Sequence, residues 1–158
     1  MTDIDPWKEG SRIRLNADFV SGLKCFKNND WEAAVRLFRS ADESVDIDDI
    51  YRNRYTSFHG LARVCMGDKS GVKLCRKAAV GERSDVEVYY NLAMAENRLG
   101  FRDSAYMALR RGLKIDSGHP GLKRLKEEIN QRGLLAGMGR ESFIGRVFSR
   151  LFRRSRKP

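Results

Sequence analysis

The sequence predicts an all-α fold, a stack of helical hairpins, and two observations lead there. First, charged residues make up 33% of the 158 residues and prolines number only three, the balance of a helix-rich protein. Second, three segments repeat one pattern: "GLKCFKNNDWEAAVRLFRSA" (22–41), "GLARVCMGDKSGVKLCRKAA" (60–79) and "LAMAENRLGFRDSAYMALRRGL" (92–113). Each has a small residue on a first helix, a turn seven residues later, and two further small or short residues on a second helix. Antiparallel helices approach closely only where both present small side chains, so the pattern reads as hairpins.

The elements follow in order along the chain. Residues 1–14 form an N-terminal extension whose acidic start, "MTDIDPWKEG", lacks the basic-then-apolar order of a secretory signal. Trp7 in that stretch is expected to help cover the first open face of the stack. The first unit (15–48) places Gly22, then Asn29-Asp30 at the turn, then Ala34 and Ala41 on its second helix. The second unit (53–85) has Gly60, Gly67-Asp68, Val72 and Ala79. The third (86–118) has Ala93, Gly100-Phe101, Ala105 and Gly112. Gly and Asn can leave a helix in the left-handed conformation, and Asp30 and Asp68 are placed to cap the second helices. Ser84 with Glu87 reads as a capping box for the third pair. The units are stepped by 38 and 33 residues, so extra residues lie at "ADESVDIDDI" (41–50). Asp42, Glu43, Asp46, Asp48 and Asp49 crowd there, but the central Gly of a calcium loop is missing, and a solvated acidic loop is expected. A capping helix follows (119–133), with Pro120 at its first position and a narrow stripe of Leu122, Leu125 and Ile129. The glycines of 134–141 read as a hinge, and 142–158 as a basic amphipathic tail helix.

These residues resemble the tetratricopeptide repeat (TPR) family over residues 15–120. That family's 34-residue unit has small residues at its eighth, twentieth and twenty-seventh places and often ends in Leu-x-Leu-Asp-Pro. The third segment matches best, through Tyr89, Leu92, Ala93, Gly100, Ala105, Leu109, Gly112 and the closing "LKIDS". The first matches in its second helix, through Trp31, Ala34, Phe38 and Ala41. The second is weakest, with Arg76 and Val72 in unusual places. The resemblance implies a right-handed superhelix whose first helices line a concave groove for a peptide or helix of a partner protein. It implies no catalysis and no cofactor. The groove would be lined by Phe19, Leu23, Phe26, Phe58 and Leu61, with Tyr90, Asn91, Met94, Asn97 and Arg98 as a more polar far wall. Some members grip a partner's terminal carboxylate with Lys, Asn and Arg at fixed places. Here those places hold Phe19, Leu23, Phe58, Glu87 and Asn91, and only the Asn agrees. Aromatic stripes at helical spacing are more often core than binding surface. A Phe19→Ala melting experiment separates the two.

Other classes are disfavoured by what the chain contains. Its longest charge-free stretch is far below the roughly 18–20 apolar residues of a membrane span. Cys25, Cys65 and Cys75 are odd in number with no paired spacing, which suits neither a disulfide framework nor a zinc site. His59 and His119 sit in no nucleophile, metal or phosphate motif, so the chain is not read as an enzyme. The net charge of +10 is uneven: eight basic residues against Glu141 in 132–158 account for seven of the ten charges. In the tail, Phe143, Ile144, Val147, Phe148, Leu151 and Phe152 recur at helical spacing. Arg146, Arg150, Arg153, Arg154, Arg156 and Lys157 fill the gaps. Such a helix suits an anionic membrane surface, where each basic residue adds roughly 1 kcal/mol. Nucleic acid, the apolar half folding back on the stack with the arginines against the acidic 42–49 loop, and a solvated cationic end are the alternatives. A cytoplasmic adaptor, peripheral at the inner face of the membrane, is the resulting expectation.

Overall fold

The computed structural model describes residues 15–131, which fold as helices and turns with no strand among them. The helices are α1 (Ala17–Lys27), α2 (Trp31–Ser44), α3 (Arg52–Met66), α4 (Val72–Ala79), α5 (Val86–Arg98) and α6 (Arg102–Ile115). A single 3-10 turn, Lys69–Gly71, leads into α4. A last helix, α7, spans 120–131. Helices α1 and α2, α3 and α4, and α5 and α6 pack as pairs, and α3 joins the first pair to the third. The result is the stack of helical hairpins that the small-residue spacing predicts.

One backbone device closes all three hairpins. Asn29, Gly67 and Gly100 have φ of 61°, 103° and 82°, and each lies seven residues after Gly22, Gly60 or Ala93. The next N–H then reaches back five residues: Asp30 to the Cys25 carbonyl at 3.0 Å, Asp68 to Arg63 at 2.9 Å, Phe101 to Glu96 at 2.9 Å. This is the bond that ends a helix on a left-handed residue. The Asp30 carboxylate accepts the Ala33 N–H at 3.1 Å, and that of Asp68 accepts the Ser70 N–H at 2.9 Å. Small residues then let the paired helices touch. Gly22 lies under the Phe38 ring, Gly60 faces Gly71 and Cys75, and Gly112 faces Leu122 of α7.

The start of α5 differs from the expected Ser84–Glu87 box. Asp85 caps the helix, accepting the Glu87 N–H at 3.0 Å while taking both arms of the Arg54 guanidinium at 2.7 and 2.9 Å. Glu82 already occupies the Ser84 N–H, and its Oε1 also accepts those of Arg83 and Asp85 at 2.8–3.0 Å. Burial works against the charged Glu82. The Ser84 N–H, the Asn53 amide and the Asp85 and Arg83 N–H groups outweigh it and hold its carboxyl at about 2, against an ordinary 4.5. A depressed carboxyl stabilises fully above its ordinary value and loses that contribution as pH falls toward 2. Urea midpoints of the natural chain and Glu82→Gln are therefore expected to draw together on acidification from about pH 5. A gap that stays constant down to the acid limit would contradict this assignment.

The core is graded along the stack. Between the first two pairs it is aromatic: Phe19 stands 4.6 Å from Tyr55, 5.3 Å from Phe58 and 5.5 Å from Phe38, ring centre to ring centre. Between the second and third pairs it is aliphatic, built on Leu61, Val64, Val72, Cys75 and Ala95. At the end, Leu122, Leu125 and Ile129 of α7 bury their stripe against α5 and α6. After Ala41, α2 runs on three residues to Ser44, and the seven-residue link 45–51 follows. Asp42 is accordingly turned inward, where its carboxylate accepts from Thr56 and pairs with His59 Nδ1 at 3.0 Å. Ile47 and Ile50 are exposed in the link beside Asp46 and Asp48.

Candidate functional site

The first helices of the pairs, α1, α3 and α5, carry the residues expected to line a groove. Three of those residues are enclosed instead. Phe19 is 1% exposed because it lies at the centre of the aromatic cluster. Leu61, 2% exposed, fills the space between α3, α4 and α5. Asn91, 1% exposed, points back toward α3 and donates from Nδ2 to Ser57 Oγ at 2.9 Å. Its Oδ1 has no hydrogen-bond partner among the described residues. The single residue that agreed with a carboxylate clamp is thus spent inside the core.

The others remain partly open. Leu23 and Phe26 on α1, Phe58 on α3, and Tyr90, Met94 and Asn97 on α5 are half-buried, and Arg98 is exposed. Phe26 packs against both the aromatic and the aliphatic cluster, and Met94 against both the aliphatic and the terminal one. Each therefore bridges two neighbouring clusters while keeping part of its surface free. Cys65 belongs with them: it is half-buried against the aliphatic cluster, seven residues after Phe58 on the same helix. That i, i+7 spacing was the signal that could have placed it in the set. Burial raises the Cys65 thiol, and the nearby Arg98 charge only partly offsets this. Tyr90 is held by the capping helix, its ring 5.2 Å from His119 and against Gly121. His119 also pairs with Glu87 at 3.2 Å and accepts the Leu122 N–H at 3.1 Å, which caps α7.

Chemically, this surface offers burial more than reactivity. Each Leu- or Phe-sized side chain enclosed there would contribute roughly 1.5–3 kcal/mol. Cys75, with its thiol pushed up to about 12 by burial, stays protonated at neutral pH and is no nucleophile. Among the described residues no three His, Cys, Asp or Glu side chains gather as metal ligands. No helix among them is long and apolar enough to cross a membrane. Trp7, the hinge 134–141 and the tail cations Arg146, Arg150, Arg153, Arg154, Arg156 and Lys157 lie outside the described residues.

No known family model and no curated protein matches this chain. Solved structures do. The crystal structure of PcrH in complex with the chaperone-binding region of PopB aligns with a TM-score of 0.56, covering 78% of this chain and 98% of that one. Sequence identity is 16%, so the likeness is one of fold.

Proposed function

We propose that this chain is a non-enzymatic adaptor of the TPR type that binds a peptide or helix of a partner protein across its first helices. The carrying observation is the part-open apolar strip of Leu23, Phe26, Phe58, Cys65 and Met94, which draws on the first helices of all three hairpins. Part-open apolar side chains on several elements are what an apolar segment can be buried against. The likeness to PcrH, solved with a bound region of PopB, supports the reading. In the fuller form of the proposal, the tail 142–158 holds the adaptor on an anionic surface, with membrane lipid first and nucleic acid as the alternative.

The test is capture from native cells with single substitutions. Leu23→Glu or Met94→Glu puts a carboxylate into the strip and is expected to weaken partner retention roughly tenfold or more. Lys73→Glu, on an exposed position of α4, is expected to retain the partner as the natural chain does. Equal retention by all three variants, each melting normally, would remove the strip as the binding surface. Flotation with anionic vesicles, comparing the full chain with one ending at Gly133, tests the tail.

A further inference from the structure

The outer face of α6 carries a row of side chains that the groove reading does not use. Arg102, Tyr106, Arg110 and Lys114 follow one another at four-residue steps, about 6 Å apart along the helix, and all four are exposed. Arg111 stands beside the last two and is exposed as well. No ion pair among the described residues engages any of these cations. Arg54, Arg63 and Arg76, by contrast, are each held by a carboxylate. The one acidic residue of α6, Asp103, sits in its first turn, away from Arg110, Arg111 and Lys114. At that first turn the row begins in a cleft lined by Phe101, Arg102, Asp103 and Tyr106, with Asn130 from α7. Arg102 spends one N–H on the Ile129 carbonyl at 2.9 Å, which fixes the cleft's far wall. Phe101 and Tyr106 are 50% and 39% exposed. The Arg76 guanidinium already lies over the Phe101 ring, 5.8 Å from its centre, so Tyr106 is the freer of the two.

We propose that this face binds single-stranded nucleic acid, with a base stacked on Tyr106 at the cleft and backbone phosphates along Arg110, Arg111 and Lys114. Phosphates are met by cations that no carboxylate has already neutralised, and unpaired bases stack on exposed rings beside them. Asp103 and Asn130 bring an acceptor and an amide to the same cleft, groups that suit the edge of a base. A bilayer is the poorer fit. The apolar side of α6, Ala105, Ala108, Leu109 and Gly112, is buried in the stack, so the helix has no such face to lay among acyl chains. A duplex fits less well too, because its bases are already stacked on one another and leave the ring nothing to take. The face belongs to a second helix and shares no residue with the first-helix strip, so the proposal is independent of the partner groove.

Fluorescence anisotropy of a labelled oligouridylate, titrated with the full-length chain at several salt concentrations, tests it. Tyr106→Leu keeps the bulk of the side chain and is expected to weaken binding about fivefold or more with the salt dependence unchanged. Arg110→Ala and Lys114→Ala are each expected to weaken binding and to lower the slope of log affinity against log salt by roughly 0.7. Arg39→Ala removes an equally exposed cation from α2 and is expected to change neither. No binding by the natural chain, or α6 variants that lose no more than Arg39→Ala does, would overturn the proposal. So would anionic vesicles that release Arg110→Ala and Lys114→Ala while the oligonucleotide holds them as it holds the natural chain. Crosslinking gives a second readout that a folding defect does not imitate. An oligomer carrying 4-thiouridine, irradiated with the natural chain, is expected to form adducts on peptides from 101–114, and adducts confined to other peptides would also overturn it.

Discussion

Phe19→Ala is expected to lower unfolding free energy by about 3–5 kcal/mol, the range for removing a fully enclosed ring. The ring touches Phe38 of α2 and Tyr55 and Phe58 of α3, so its loss leaves a void where three helices meet. Tyr55 would also lose a packing neighbour while its hydroxyl still accepts the Asn16 N–H at 3.0 Å. That bond fixes the entry to α1, so relaxation into the void is opposed from outside. Phe26→Ala, at a half-open position, is expected to cost about half as much. Urea unfolding followed by circular dichroism measures both. A Phe19→Ala protein that unfolds like the natural chain would return Phe19 to the binding surface.

The second large effect is steric. A Cβ added at Gly60 would stand 2.6 Å from the Gly71 carbonyl oxygen and 2.8 Å from Cys75 Sγ. The first of these is backbone and cannot swing aside, so α3 must move away from the turn before α4. Alanine gains about 1 kcal/mol over glycine in helix propensity. Overpacking of this kind costs about 1–3 kcal/mol and sometimes more, and here it acts on a backbone contact, so the loss wins. Gly60→Ala should therefore be destabilised by about 2 kcal/mol net. Gly67→Ala supplies the contrast: no atom of the described residues lies within 4 Å of its added Cβ, and only the left-handed φ of 103° resists. About 1–2 kcal/mol is expected there, from conformation alone. A Gly60→Ala chain as stable as the natural one would mean that the helices are not in contact at this point.

What the sequence revealed of this fold was its punctuation. Gly22, Gly60, Ala93, Ala105 and Gly112 had to be small because another helix lies against each, and smallness at fixed spacing is visible in one sequence. The turns at Asn29, Gly67 and Gly100 were visible for the same reason, since few residues tolerate positive φ. The site was harder to read. Helical periodicity marks a face as apolar without saying whether a neighbour covers it. Phe19 and Phe26 look alike in sequence, yet α3 covers one and leaves the other half open. Asn91 was placed in the groove by analogy of position, but its partner Ser57 lies 34 residues away, and no local pattern encodes that bond. Likewise the capping box at Ser84 obeyed the local rule. It gave way to Asp85 because Arg54, from another helix, anchors that carboxylate.

The three matching reversals divide the chain into fixed blocks and adjustable joints. Inside each block the same backbone bond recurs to within 0.1 Å, whereas the joints hold seven residues (45–51), six (80–85) and four (116–119). Length can therefore change at a joint without disturbing the blocks on either side, and 45–51, with Ile47 and Ile50 already facing solvent, is the place to graft a new sequence. The same residues inserted between Asn29 and Asp30 would break the clasp itself.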